Sequence, residues 1–175
     1  MEIRLRSTGE VMYEGEFRTR FAQNLPPRPL TQEWLDTYVS DPAGDIVFEG
    51  PQATGGTVYQ YSQRAGVEQI EGKWYTKHIL GPVFTDRPAT ANEPAKTAAE
   101  QEAEYKAMKD AEQAKSVRAS RNAKLAETDW VVIKAVEAGT TVPADVAAER
   151  QALRDITTQA GFPWTITWPG ADAQV

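Results

Sequence analysis

Cysteine is absent from all 175 residues, which excludes disulfides, thiolate metal sites and a cysteine nucleophile. That permits a reducing compartment without requiring one. Histidine occurs once, at His78, too few for a histidine zinc site or an HExxH helix. There is no surplus of basic side chains: 19 Lys and Arg stand against 25 Asp and Glu, a net charge of -6. Non-specific nucleic-acid binding runs on the opposite balance, so no nucleic-acid partner is expected. Long apolar runs are missing as well. The longest, Trp130-Val131-Val132-Ile133, falls far short of the ~20 residues that cross a bilayer, and no membrane partner is expected. The start, Met1-Glu2-Ile3-Arg4, is charged from its second residue and does not read as a signal peptide. What is present, 41% apolar and 25% charged residues, is the balance of a soluble globular chain.

Residues 1–86 read as a β-rich α+β domain. Ile3 and Leu5 alternate with Arg4 and Arg6, the period of a half-buried strand. Ser7-Thr8-Gly9 turns the chain into a return strand at Val11-Met12-Tyr13. Phe17 and Phe21 share a face of a short helix, and Leu25-Pro26-Pro27-Arg28-Pro29 ends regular structure. Thr31 is placed to cap a second helix, with Leu30 and Leu35 as a hydrophobic staple. Trp34, Tyr38 and Val39 extend its apolar face. After a run at Ile46-Val47-Phe48, three strands are expected at Val58–Gln63, Val67–Ile70 and Trp74–Leu80, with turns at Ala65-Gly66 and Glu71-Gly72. Tyr59, Tyr61 and Tyr75 fall where they could share a sheet face, as core, carbohydrate platform or protein interface, with core the default. His78, beside Trp74 and Tyr75, reads as a half-buried packing residue, and Gly55-Gly56 as a turn without the lysine of a P-loop.

Residues 87–96 read as a linker, and residues 97–127 as one long helix of about 45 Å at 1.5 Å per residue. Thr97-Ala98-Ala99-Glu100 fits a capping box, and acids lie early and bases late in the segment. Its large apolar residues are few: Tyr105, Met108, Val117 and Leu125. Two readings of the helix stand open. It packs a homo-oligomer or a partner through Ala103, Ala107, Ala111 and Ala114, or it is a solvated helix held by local charge pairs such as Glu102 with Lys106.

Residues 128–175 read as a small helical module ending in a short strand. Trp130–Ile133 opens a helix that Gly139 ends. Pro143 opens another, whose Val146, Leu153 and Ile156 share a face until Gly161-Phe162-Pro163 stops it. Trp164, Ile166 and Trp168 then alternate with threonines as an exposed edge strand. Carboxylate pairs such as Glu68 with Glu71 lie in wet, charged segments, so no catalytic residue, cofactor or metal site is assigned.

Two sets of words carry a resemblance. Arg121-Asn122, Leu125, Thr128-Asp129-Trp130, Arg150-Gln151-Ala152-Leu153-Arg154-Asp155-Ile156, Gly161-Phe162-Pro163 and Trp168-Pro169 resemble, in order, the pattern of the phage tail assembly chaperone family. Where that family carries W-x-x-Y ahead of the arginine-rich helix, Val146 and Glu149 stand here, and the spacer Val132 to Val142 is longer. The N-terminal words Ile3-Arg4-Leu5, Glu16-Phe17-Arg18, Phe48 to Gly56 and Leu80 to Asp86 resemble small cyanophage and marine-phage tail- or fibre-associated proteins. The first resemblance implies a non-enzymatic chaperone that binds a phage tail-fibre or tail protein in the host cytoplasm during assembly, and either leaves or stays in the virion. The alternative is a structural subunit of the tail, baseplate or fibre. Elongated β-rich fibre proteins expose unpaired strand edges before assembly, and a small partner that covers them suppresses aggregation. The implied partner-binding residues are Trp130, Arg150, Leu153, Arg154, Phe162, Trp164 and Trp168. For Arg150 and Arg154 two roles stand level: docking a partner surface, or pairing with Asp129 inside the module.

Overall fold

The computed structural model describes residues 1–170. The architecture is α+β, and the chain divides into two compact units, Met1–Val83 and Phe84–Val175.

The first unit is a five-stranded sheet in the order β2-β1-β3-β5-β4. Its strands are β1 (Glu2–Leu5), β2 (Val11–Tyr13), β3 (Gly44–Phe48), β4 (Tyr61–Ile70) and β5 (Lys73–Gly81). β3 and β5 run parallel, and the other neighbours run antiparallel. The alternation in β1 sends Ile3 and Leu5 to one face, where both are fully buried. Over them lie α1 (Glu14–Arg20), a 3₁₀ turn and α2 (Gln32–Asp36), which add Phe17, Phe21, Leu30 and Leu35. The Phe17 and Phe21 rings sit 4.8 Å apart, and Trp34 meets Phe17 edge-on at 6.4 Å. Thr31 caps α2 by accepting from the Trp34 amide at 3.2 Å, and both staple leucines are buried. Arg6 bridges Asp36 of α2 and Asp45 of β3. The Arg6 hydrogen bond, followed by that of Gln32, holds the Asp36 carboxyl below its ordinary range.

Three expectations need correction here. The runs at Val58–Gln63 and Val67–Ile70 are not two strands. Ala65-Gly66 lies within β4, and the register steps from Arg64↔His78 to Val67↔Thr76. β4 therefore carries one extra residue, a bulge, with Gly66 at φ 96°. The real turn is Glu71-Gly72, whose φ values of 48° and 79° match the primed two-residue hairpin. Val39 is fully exposed, because α2 stops at Asp36 before its periodicity reaches that position. Tyr61 and Tyr75 do fall on one face of the sheet, with Phe48 5.7 Å from Tyr75, but Tyr59 sits in the turn before β4. His78 has a side chain only 9% exposed, its Nε2 lying 3.3 Å from the Gln52 amide nitrogen and 3.5 Å from Glu49.

The second unit is helical: α3 (Ala98–Glu127), α4 (Asp129–Glu137), α5 (Ala144–Arg154) and a closing 3₁₀ turn at Asp155–Thr158. The capping box at α3 forms in both directions, Thr97 Oγ1 accepting from the Glu100 amide and Glu100 Oε2 from the Thr97 amide at 2.8 Å. The Thr97 backbone bond, then the Thr97 hydroxyl, lower the Glu100 pKa. Below the cap, Arg87 and Lys96 pair in an antiparallel bridge that closes the 87–96 segment into a loop. Asp86 accepts from the Ala98 amide at 2.7 Å, and Phe84 meets Tyr105 in a tilted pair with ring centroids 5.6 Å apart. Of the four alanines on the α3 stripe only Ala114 is buried, and it belongs with Val117, Leu153 and Ile156 to the core of this unit. No helix among the described residues is long and apolar enough to cross a membrane.

Candidate docking module

Arg150 organises the joint between the helices of the second unit. Its Nη1 donates to the Leu125 carbonyl at 2.7 Å and to Thr128 Oγ1 at 2.5 Å, and its Nη2 donates to Asp129 at 2.7 Å. α3 ends at Glu127, and the Leu125 carbonyl, one of its last four, accepts from the Thr128 amide at 3.2 Å and the Thr128 hydroxyl at 3.1 Å as well as from Arg150. A cation at this end also complements the helix dipole. One guanidinium on α5 thus caps α3, holds the single-residue joint at Thr128 and fixes the first turn of α4. Only 11% of its side chain is exposed, against 56% for Asp129. The words Leu125, Thr128-Asp129 and Arg150 therefore belong to one hydrogen-bonded group. Of the two roles weighed for this arginine, the geometry supplies the internal one.

The terminal aromatics are also engaged inside the unit. Trp164 donates its indole Nε1 to Asp110 of α3 at 2.5 Å. The Arg118 guanidinium stands 5.4 Å over the Phe162 ring, and Lys124 Nζ stands 5.7 Å over Trp168. These contacts fold the segment from Gly161 to Trp168 along α3, where all three rings are half-buried. The exposed edge strand read at Trp164–Trp168 does not form. The Gln159 side chain takes the place of a neighbouring strand, donating to the Thr167 carbonyl at 2.9 Å and accepting from the Thr167 amide at 2.7 Å. The chain closes first through a turn in which the Trp164 and Thr165 amides both reach the Gly161 carbonyl. A Cβ on residue 161 would lie 2.0 Å from the Thr165 carbonyl oxygen, which is why this turn needs glycine.

The remaining expected site residues separate cleanly. Leu153 is 1% exposed and belongs to the core. Arg154 lies on the surface, within 3.4 Å of Gln151. Trp130 is 62% exposed. Beside it stand Ile133 and Val136, which sequence reasoning did not single out although their spacing of three from Trp130 was there to be read. Asp110 and Gln159, missed as well, gave no such signal, since Asp110 lies 54 residues from Trp164 and Gln159 meets Thr167 across an irregular turn with no repeating period. Among the described residues no cluster of three His, Cys, Asp or Glu side chains could hold a metal ion.

Residues 114–171 match the family model described as phage tail assembly chaperone protein. The match covers 58 of the 175 residues. It begins at Ala114, where α3 enters the core of the second unit, and takes in α4, α5, Gln159 and the aromatic turn. Every residue of the Arg150 group lies inside it. No curated protein and no solved structure matches the chain. The resemblance of the N-terminal block to cyanophage and marine-phage tail proteins finds no support in these comparisons. The match supports a chaperone role in phage tail assembly, and with it a tail protein as partner and the host cell as the place of action.

Proposed function

We propose that the protein is a non-enzymatic tail-fibre assembly chaperone whose second unit binds the fibre protein before assembly. The observation that carries this is the coincidence of the family match with one complete structural group: Arg150, Thr128 and Asp129 at the helix joint, and the Phe162–Trp168 turn clamped on α3. A rigid small helical unit of this kind can cover an apolar tip or strand edge and lower aggregation without covalent chemistry. Co-expression with the fibre protein of the same phage is the test. Soluble, correctly trimeric fibre rises if the reading holds, and an unchanged yield refutes it.

One observation favours a second reading, a structural subunit that stays in the tail: Met1–Val83 forms a compact unit of its own outside the family match. Quantitative mass spectrometry of purified particles beside infected-cell lysate separates the two. A fixed ratio to the fibre protein in particles marks a subunit or a retained chaperone. Abundance in lysate alone marks one that leaves. Self-association through α3 is the remaining element of the reading, supported by the exposure of Ala103, Ala107 and Ala111, and sedimentation of the full chain tests it.

A further inference from the structure

Among the described residues from Phe84 onward, the large apolar side chains left exposed are Met108, Trp130, Ile133 and Val136. Three of the four lie on the nine-residue helix α4, at 62%, 57% and 72% exposure. At 3.6 residues per turn Trp130, Ile133 and Val136 line one side of α4, while Ala135 turns inward and is 6% exposed. The aromatics of the Phe162–Trp168 turn are engaged on α3, so this ridge gathers three of the four large apolar side chains that the described residues of the unit leave exposed.

Charge limits what can cover it. Lys134, whose Nζ stands 6.0 Å from the Trp130 ring, and Glu137, seven residues after Trp130, share the ridge. A second copy packed antiparallel about Ile133 would set Glu137 against Asp129 of the other chain. A parallel copy would set Lys134 against Lys134 and Glu137 against Glu137. The parallel arrangement places like charges together, which disfavours it, and the antiparallel one leaves Glu137 without a basic partner, since Asp129 is already paired with Arg150. Glu137 forms no ion pair among the described residues and sits at the C-terminal end of α4, where the helix dipole adds further negative potential.

We infer that the Trp130–Ile133–Val136 ridge of α4 is the surface that docks the tail protein, through an apolar segment of that protein carrying a basic residue against Glu137. That the partner is a tail protein rests on the chaperone reading; the place and chemistry of docking rest on α4. The test uses the full chain and two synthetic amphipathic helical peptides with the same leucine face, one flanked by lysine and one by glutamate, followed by fluorescence anisotropy. The lysine-flanked peptide binds saturably and at least about tenfold more tightly than the other. Ile133→Asp weakens it by about tenfold or more, as expected for the centre of an apolar contact. Glu137→Lys reverses the preference. Both positions are exposed, and unchanged far-UV circular dichroism certifies that the variants fold. Equal binding of the two peptides, no binding of either, or indifference to Ile133→Asp overturns the assignment. Self-association that Ile133→Asp abolishes also overturns it, in favour of a second copy. Co-expression with the fibre protein keeps the two readings apart. If wild type and Ile133→Asp rescue the fibre equally, the docking surface is wrong and the chaperone reading stands. If the peptides behave as expected and wild type rescues nothing, the ridge stands and the chaperone reading falls.

Discussion

Replacing Arg150 with alanine probes the joint of the second unit directly. The substitution removes donors to the Leu125 carbonyl, to Thr128 Oγ1 and to Asp129. Net hydrogen bonds from a charged donor contribute about 1.5–3 kcal/mol each where the partner stays buried. The Asp129 component deserves a discount, since that carboxylate is 56% exposed and regains water. Nε is buried without a partner, an existing cost that the substitution relieves. Both acceptors at the end of α3 are only partly buried and the Leu125 carbonyl keeps the Thr128 amide and hydroxyl as donors, so the balance is a loss of about 1–2 kcal/mol. For a unit of this size that lowers its Tm by roughly 5–15 °C. Thermal unfolding of the full chain followed at 222 nm and in the near-ultraviolet reads the effect, with the transition of Met1–Val83 as internal control. Asp129→Asn separates the components. It costs under about 1 kcal/mol and its effect shrinks as salt rises, whereas the Arg150→Ala loss persists in salt. A Tm shift below about 2 °C, or an Asp129→Asn variant as damaged as Arg150→Ala, refutes the claim that this arginine chiefly caps α3.

Other perturbations test other parts of the structure. Gly161→Ala drives a Cβ to 2.0 Å from the Thr165 carbonyl oxygen, and the expected loss is about 1–3 kcal/mol, seen as a weakened near-ultraviolet tryptophan signal with the first unit unchanged. Trp164→Phe keeps the ring but deletes the Nε1 donor to Asp110, a loss of about 1–2 kcal/mol by denaturant titration. Glu71→Asn places a residue that tolerates positive φ in the β4–β5 hairpin, where Glu71 stands at 48°, and chemical denaturation should show a gain of about 1 kcal/mol. The Glu100 carboxyl has its pKa depressed in the folded chain, so its capping contribution is present above the unfolded carboxylate pKa and is lost as pH falls through the folded value. Amide exchange in the first turn of α3 therefore accelerates on acidification below the ordinary carboxylate range, and Glu100→Gln removes that pH dependence.

Much of the secondary structure was legible because its causes are local. Alternation at Ile3 and Leu5, the cap at Thr31, the Thr97–Glu100 box and the stop at Gly139 each act within about one turn of chain. The misreadings share one origin. Ala65-Gly66 has the composition of a turn, but β5 runs on past it, so the extra residue becomes a bulge. Trp164 to Trp168 has the period of a strand, but no strand lies beside it and Gln159 satisfies Thr167 instead. The candidate site divides in the same way. The order of the tail-chaperone words was readable, and so was the apolar opening of α4. Which aromatics remain available was not, because Asp110 lies 54 residues from Trp164 and Leu125 lies 25 from Arg150.

By itself the sequence determined the two kinds of segment, β-rich then helical, the helix caps, and the absence of thiol chemistry and of a histidine metal site. Those follow from residue type and from spacings of two to four. Only the tertiary structure decided that Phe162, Trp164 and Trp168 brace α3, that Arg150 closes its end, and that Trp130, Ile133 and Val136 stay in water. Burial is a property of which distant groups meet, and a tryptophan's spacing along the chain is the same whether its ring meets a partner within the fold or waits for one outside it.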